Sequence, residues 1–365
     1  MTTRDSEIPA APANTDEWGV DGQQPDMSLA DCVTLADVRA AAERFEGRIT
    51  RTPIITNDDL DARVGASVFL KCENFQRIGA FKLRGAMSAM TRLNGAQRAA
   101  GVLTYSSGNH AQAIAMSAAM LGVRAVIVMP HNAPRVKLER TEAFLADAPA
   151  GSRIERFDPC EAKREELGRQ IMEREGLTLI PPYDHPDVIA GQATAALELI
   201  EDIGPLDELY VCVGGGGVLS GSAIVAESLA PDCRVFGVEP ELADDAARSF
   251  RDGVLRTVHV PPTIADGART PYTGRHTLPI ILAKVHGMLT VSEGEIAGAT
   301  RWCFERGRFV AEPSGALGLA GLLQRRGQTA VSEPEAGLRI GVIITGGNVD
   351  LDFLPQIFAL APVGA

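Results

Sequence analysis

The sequence predicts an α/β protein whose parallel sheets carry helices on both faces. Three observations predict it. Short apolar runs such as Arg124 to Met129 and Leu209 to Val213 alternate with longer amphipathic stretches, and this alternation favours covered parallel sheets. Several of those runs end in glycine-rich or hydroxyl-rich turns that lead into helix-like segments. With 365 residues, 45% of them hydrophobic, the chain is long enough to bury a large core and suggests two or three domain-sized units.

The elements follow in order. Residues 1–32 carry Pro, Ala, Asn, Asp and Gln without apolar periodicity, so a disordered N-terminal extension is expected, with no signal or transit peptide. Thr34 reads as the N-cap of an Ala-rich amphipathic helix ending near Phe45. Ser67 to Lys71 alternates like a strand, and Val102 to Tyr105 is a second short strand. Gly108-Asn109-His110 then opens a helix from Ala111 to Met120, and Pro130 stops the strand that ends at Met129. Helices are expected near Pro134 to Leu145 and Cys160 to Glu175, with a strand from Leu177 to Ile180. After Thr345 about a score of residues remain, too few for an appended regulatory domain.

Gly214-Gly215-Gly216-Gly217 is the most informative segment. It follows an apolar strand and precedes a helix rich in Ala, Ile and Leu. Four glycines let several backbone N–H groups approach one anion, and the helix N-terminus adds a favourable dipole. Two familiar phosphate motifs fail. Counting from Gly214, the sixth position is Leu219 rather than glycine, and Gly221 is followed by Ser222 rather than lysine. A nicotinamide oxidoreductase would need the first of these motifs, so the phosphate belongs to another cofactor or to a substrate.

Other segments carry chemistry. Lys82, in Gly79-Ala80-Phe81-Lys82-Leu83-Arg84-Gly85-Ala86, sits between apolar neighbours that disfavour its charge, and a neutral amine is what Schiff-base chemistry requires. Tyr105-Ser106-Ser107-Gly108-Asn109-His110-Ala111 and Ile344-Thr345-Gly346-Gly347-Asn348 each close an apolar strand with hydroxyl and glycine residues. The net charge of −12 argues against nucleic acid, because a phosphate backbone wants a basic surface. Six scattered cysteines form neither a metal-binding nor a C-x-x-C pattern, which fits the cytosol, and no apolar run is long enough to span a membrane. Cys212, inside the strand before the glycines, is expected to be a buried reduced thiol.

Taken together these segments resemble the fold-type II pyridoxal-phosphate enzymes, in particular the threonine dehydratase and serine racemase group. Val188-Ile189-Ala190-Gly191-Gln192, Thr263-Ile264-Ala265-Asp266-Gly267 and Glu312-Pro313-Ser314-Gly315-Ala316 also match, so the resemblance runs from about Val33 to Phe353. It implies a fold like the tryptophan synthase β subunit, with two α/β domains and the cofactor in the cleft between them. The small domain would span 101–174, and the large one would combine 33–100 with 175–358. A homodimer is the implied assembly.

The resemblance also assigns roles. Lys82 would hold pyridoxal 5'-phosphate and then take the substrate's Cα proton. Phe81 would pack on the cofactor ring, Asn109 would bond its hydroxyl, Gly214 to Gly217 would cradle the phosphate, and Thr345 would face the pyridine nitrogen. A hydroxyl there, unlike a carboxylate, favours prompt loss of a β-leaving group. Ser106, Ser107, Asn109 and His110 would line the substrate site, although the place of His110 at the helix start points rather to local packing or capping. Ser107 stands where serine racemases and hydroxyaspartate dehydratases have serine. Two roles remain open for it, proton exchange on the ring face opposite Lys82 or carboxylate binding. Glu239, the carbonyl of Ala243 and Asp245 resemble the divalent-cation site of serine racemases, with oxygen ligands suited to Mg²⁺ or Ca²⁺. Arg269 could hold a second carboxylate. Tyr183 is aromatic, as in threonine dehydratases. The activity expected first is a deaminating dehydratase that converts L-threonine and L-serine to 2-oxobutanoate and pyruvate with ammonia. Threo-3-hydroxyaspartate dehydratase and serine or aspartate racemase are the alternatives.

Overall fold

The computed structural model describes residues 18–362 except 46, 134, 159–163, 260 and 328–336. Ten strands form two sheets. They are β1 (Ile54–Ile55), β2 (Ser67–Cys72), β3 (Val102–Tyr105), β4 (Ala125–Pro130), β5 (Arg153–Phe157), β6 (Thr178–Leu179), β7 (Glu208–Cys212), β8 (Arg234–Pro240), β9 (Gly287–Val291) and β10 (Arg339–Ile344). The larger sheet runs β1-β2-β10-β7-β8-β9 and the smaller β5-β4-β3-β6. Every pairing is parallel except β1 with β2. Among the described residues no helix is long and apolar enough to cross a membrane.

Local sequence explains the element ends. Thr34 caps the helix Leu35–Arg44 with a reciprocal capping box to Asp37. The helix Asn109–Leu121 stops at Gly122, whose φ of 62° suits glycine. β7 is buried along its whole length, as a central parallel strand covered on both faces should be.

Two expectations about organisation change. The small sheet closes with β6 at Thr178–Leu179, beyond the expected border at residue 174. Of the extension expected to be disordered, residues 1–17 lie outside the described residues, whereas 18–32 have defined structure. Met27–Asp31 forms a short 3-10 helix, and Trp18 donates its indole N–H to the Thr273 carbonyl at 2.9 Å. Polar composition misled here because hydrogen bonds to a distant loop, together with burial of Ala30 and packing of Cys32 on the core, hold this stretch in place.

One helix, Pro186–Ile203, sets the positions of two others. A Cβ on Gly191 would lie 2.4 Å from the Arg84 carbonyl, and one on Gly221 would lie 2.8 Å from the Ile189 carbonyl. Glycine at both contacts lets the helices Lys82–Thr91 and Gly217–Leu229 pack directly onto it. The first of these is locked further by Arg84, fully buried, which bonds Glu73 at 2.8 Å and Glu198 at 2.7 Å. Lys71, also buried, bonds Glu198 at 2.6 Å. Burial alone would push the Glu73 carboxyl up, but Arg84 beside it holds it below the ordinary range.

Candidate active site

Lys82 follows β2 by a short turn, Ser106 to Asn109 follow β3, the tetraglycine follows β7, and Thr345 follows β10. Parallel strands bring these turns to the carboxyl ends of the sheets, the usual place for a ligand in open α/β folds. The turns meet around a cleft of about 1150 Å³ that contains all of the predicted cofactor and substrate residues. Glu239, Ala243 and Asp245 lie outside its lining.

Lys82 is half-buried at the cleft floor. Its Nζ donates to the Pro182 carbonyl at 2.7 Å and lies 5.0 Å from the centre of the buried Phe81 ring. Burial pushes its pKa down from 10.5 to about 8, although Cys212 nearby opposes the shift. Far more of the amine is therefore neutral near physiological pH than for an ordinary lysine, as carbonyl capture requires. Across the floor, the Thr345 hydroxyl donates to the Ser314 carbonyl at 3.4 Å and touches the Cys212 sulfur at 3.4 Å.

The glycine loop is tightly enclosed. Gly216 is the N-cap of the helix Gly217–Leu229, and no side chain caps that helix. Its first N–H groups thus remain available to an anion. A Cβ on Gly215 would lie 2.3 Å from the Tyr183 ring, and one on Gly217 would lie 2.4 Å from Gln192 Oε1. Gly216, at φ +90°, takes a left-handed conformation. An uncapped helix start, a glycine turn and a lysine amine of lowered pKa in one cleft fit a cofactor carrying a phosphate and an aldehyde.

Asn109 sits in a buried relay. Its Nδ2 donates to Glu312 Oε1 at 2.5 Å, while its Oδ1 accepts from Asn348 Nδ2 at 2.9 Å. Arg140 donates to Asn348 in turn. Glu312 also faces Lys137, whose Nζ is 3.3 Å from Glu312 Oε2 and 2.5 Å from Asp266 Oδ2. Burial pushes Glu312 up, with Lys137 opposing. For Asp266, burial is outweighed by Lys137, which holds the carboxyl below its ordinary value. This relay joins the helix Arg135–Leu145, beside the small sheet, to loops of the large sheet. Sequence reasoning gave Lys137, Asn348 and Arg140 no role and left Glu312 without one. The signal that singled out Lys82, a lysine between apolar neighbours, also describes Val136-Lys137-Leu138.

Ser107 is half-buried at the cleft wall. Ser106 is turned inward, its Oγ accepting from Gly108 N–H at 3.2 Å. His110 departs from its expected contact with substrate. The ring is buried, its pKa is pushed down to about 3 by burial and by the charge of Lys82, and Nε2 lies 3.0 Å from the Ile180 carbonyl. Only a protonated Nε2 can donate to that carbonyl, so the neutral ring keeps Nδ1 as an acceptor, which repels a carboxylate. Arg269 is exposed at the cleft mouth, where Nε bonds the Thr263 carbonyl at 2.8 Å and Nη2 bonds it as well. Those bonds orient the guanidinium plane.

Away from the cleft, Glu239 ends β8 and accepts N–H bonds from Ala247 at 2.5 Å and Ala246 at 3.3 Å. Burial, and then the neighbouring Asp245, push its pKa well up. Asp245 is itself pushed up to about 8 by burial, and its Oδ2 has no hydrogen-bond partner. Among the described residues no cluster of three or more His, Cys, Asp or Glu could hold a metal ion. Two carboxylates, one with an orphaned oxygen, beside the buried Ala243 nevertheless suit a hard cation that also accepts a backbone carbonyl.

Comparison with known proteins agrees with this chemistry. The family described as pyridoxal-phosphate dependent enzymes matches residues 45–346. The chain is 49% identical over 316 residues to L-threo-3-hydroxyaspartate ammonia-lyase of a Pseudomonas species, covering 87% of this chain and 95% of that protein. It is 49% identical over 319 residues to serine racemase of Schizosaccharomyces pombe, covering 87% and 95%. The structure of maize serine racemase matches with a TM-score of 0.82 and 38% identity, covering 89% of this chain and 96% of that one. With a lysine, a glycine cradle and a strand-end threonine converging on one cleft, the chain belongs to the fold-type II pyridoxal-phosphate dependent enzymes, in the group of serine racemases, threonine deaminases and hydroxyaspartate ammonia-lyases.

Proposed function

We propose that this enzyme is an ammonia-lyase for L-threo-3-hydroxyaspartate, yielding a dicarboxylic oxo acid and ammonia. The observation that carries the proposal is the 49% identity, along 87% of the chain, to a protein of that activity. It displaces threonine and serine, the substrates expected first from sequence. Arg269 supports it, because a guanidinium already oriented at the cleft mouth can receive a second carboxylate.

Pyridoxal phosphate, when bound, supplies the electron sink for the substrate's α-carbon. Lys82 and the Gly214–Gly217 turn would hold it, with Asn109 and Thr345 at the ring edge. Lys82, with its pKa near 8, accepts the Cα proton. The β-hydroxyl departs as water, its added proton balanced by the one Lys82 took from Cα, and one water is consumed when the resulting enamine becomes oxo acid and ammonia, so atoms balance.

In a panel of L-threo-3-hydroxyaspartate, L-threonine and L-serine, the first should give a kcat/KM about tenfold or more above the others, the discrimination of one charge-assisted contact. Arg269→Ala should lower that kcat/KM by about one to two powers of ten and leave serine nearly unaffected. A wild-type preference for threonine, with no substrate responding to Arg269→Ala, would defeat the proposal.

Serine racemisation is a second reading, supported by Ser107 at the cleft wall and by the S. pombe relative. If Ser107 exchanges a proton on the face opposite Lys82, Ser107→Ala should suppress racemisation and D-isomer elimination while L-isomer dehydration survives. Equal loss of both would assign Ser107 to carboxylate binding.

We also propose that Glu239, the Ala243 carbonyl and Asp245 take Mg²⁺ or Ca²⁺. Millimolar cation should raise the melting temperature of the wild type but not of Asp245→Asn, as a calorimetric or dye-based melt will show. Chelator-treated protein whose melting ignores both ions would refute the site.

A further inference from the structure

The family match begins at residue 45, yet part of the cleft wall precedes it. Trp18, Leu29, Cys32 and Val33 line the same cleft as Lys82. Their backbone is tied down along its length. Gly22 N–H donates to the Leu255 carbonyl at 2.7 Å, and Leu255 N–H donates to the Gln23 carbonyl at 2.8 Å. Asp21 accepts from Thr257 N–H at 3.0 Å and pairs with Arg256 at 3.2 Å. Near the far end, Asp31 pairs with Lys284 at 2.8 Å.

What this segment touches matters more than how it is held. Trp18 bonds the Thr273 carbonyl, and beside it Gly19, at φ +119°, lies so near Tyr272 that a Cβ would be 2.7 Å from the ring. Loop 272–274 is in turn the neighbour of the phosphate cradle. Gly274 N–H donates to the Gly215 carbonyl at 3.2 Å, and Thr277 donates its hydroxyl to the same carbonyl at 2.7 Å. The Tyr183 hydroxyl donates to the Tyr272 carbonyl at 3.4 Å, while its ring closes over Gly215. The path from Trp18 to the glycine loop is therefore one loop thick.

We propose that segment 18–33 is an integral wall of the active site and that Trp18 is a positioning residue. It presses loop 272–274 against Tyr183 and Gly215, which tightens the phosphate cradle and narrows the cleft mouth. Exposed ion pairs such as Asp21 with Arg256 contribute little by themselves. The indole, which combines apolar contact with a hydrogen bond, is the element whose loss the cradle should register. The assignment does not depend on which amino acid is turned over.

The chain holds two tryptophans, and Trp302 is buried in the helix Glu293–Glu305, outside the cleft lining. Trp302→Phe therefore leaves Trp18 as the sole indole. In that holoenzyme, bound pyridoxal phosphate should quench Trp18 emission by energy transfer, and removal of the cofactor with hydroxylamine should restore it. Equal emission with and without cofactor overturns the proposal. Trp18→Ala should speed cofactor loss to hydroxylamine and raise KM about tenfold, more than it lowers kcat, the scale of one hydrogen bond with its packing. Trp18→Phe, which keeps a ring, should recover part of both effects. Trp18→Ala holoenzyme with wild-type melting, KM and cofactor retention overturns the assignment. Should that variant melt early, the Trp302→Phe emission decides it.

Discussion

Lys82→Ala should lower turnover of every amino-acid substrate by about 10³-fold or more, because it removes both the cofactor attachment and the base for the Cα proton. The variant can still hold free pyridoxal phosphate in the glycine cradle, so loss of activity with retained cofactor separates the lysine's chemistry from its packing. Borohydride should fix the cofactor to the peptide containing Lys82 in the wild type, and labelling of a different lysine would refute the assignment. The pH dependence has a definite sign. The folded pKa of Lys82 is lowered from 10.5 to about 8, so the ammonium form dominates below about 8 and the neutral amine above it. Covalent capture of added cofactor by cofactor-free protein should therefore accelerate as pH rises through about 8. A midpoint near the ordinary lysine value would mean that burial does not tune this amine.

Arg84→Met should cost about 3–5 kcal/mol in urea unfolding, the price of breaking a buried ion pair from one side. Glu73 and Glu198 would be left facing only Lys71 and hydroxyl groups. Because Glu73 is held below its ordinary pKa, its stabilisation is present above the ordinary carboxylate range and is lost as pH falls through the lowered value. The variant should lack that part of the wild type's acid sensitivity. A loss below about 1 kcal/mol, the scale of an exposed pair, would show that water reaches the network. Turnover should fall as well, since Arg84 stands two residues from Lys82 on the same helix.

Local chemistry was the legible part of this molecule. Thr34 could be read as a cap because Asp37 stands three residues away, and the tetraglycine because its strand and helix adjoin it in sequence. The relay around Lys137 could not be read this way. Its partners Asp266 and Glu312 lie on other loops, and nothing near Lys137 in sequence says which carboxylates it will meet. At His110 the motif position suggested substrate contact while its place at the helix start suggested local packing, and in the structure the buried ring meets the Ile180 carbonyl. Segment 18–32 was misread because disorder was judged by missing apolar periodicity, while its order comes largely from backbone and side-chain hydrogen bonds to residues 255–257 and 273.

Cys212 has a consequence for the enzyme's durability. Burial raises its pKa, with Thr345 and Lys82 opposing the shift, so the sulfur at the cleft floor stays a protonated thiol. Loss of a β-hydroxyl creates a carbon–carbon double bond that thiolates attack readily, whereas thiols do so poorly. In the proposed reaction, a low-pKa cysteine at this position would be open to alkylation by the unsaturated intermediate at every turnover. By keeping the proton on sulfur, the same dry environment that lowers the Lys82 pKa would guard the protein against that inactivation.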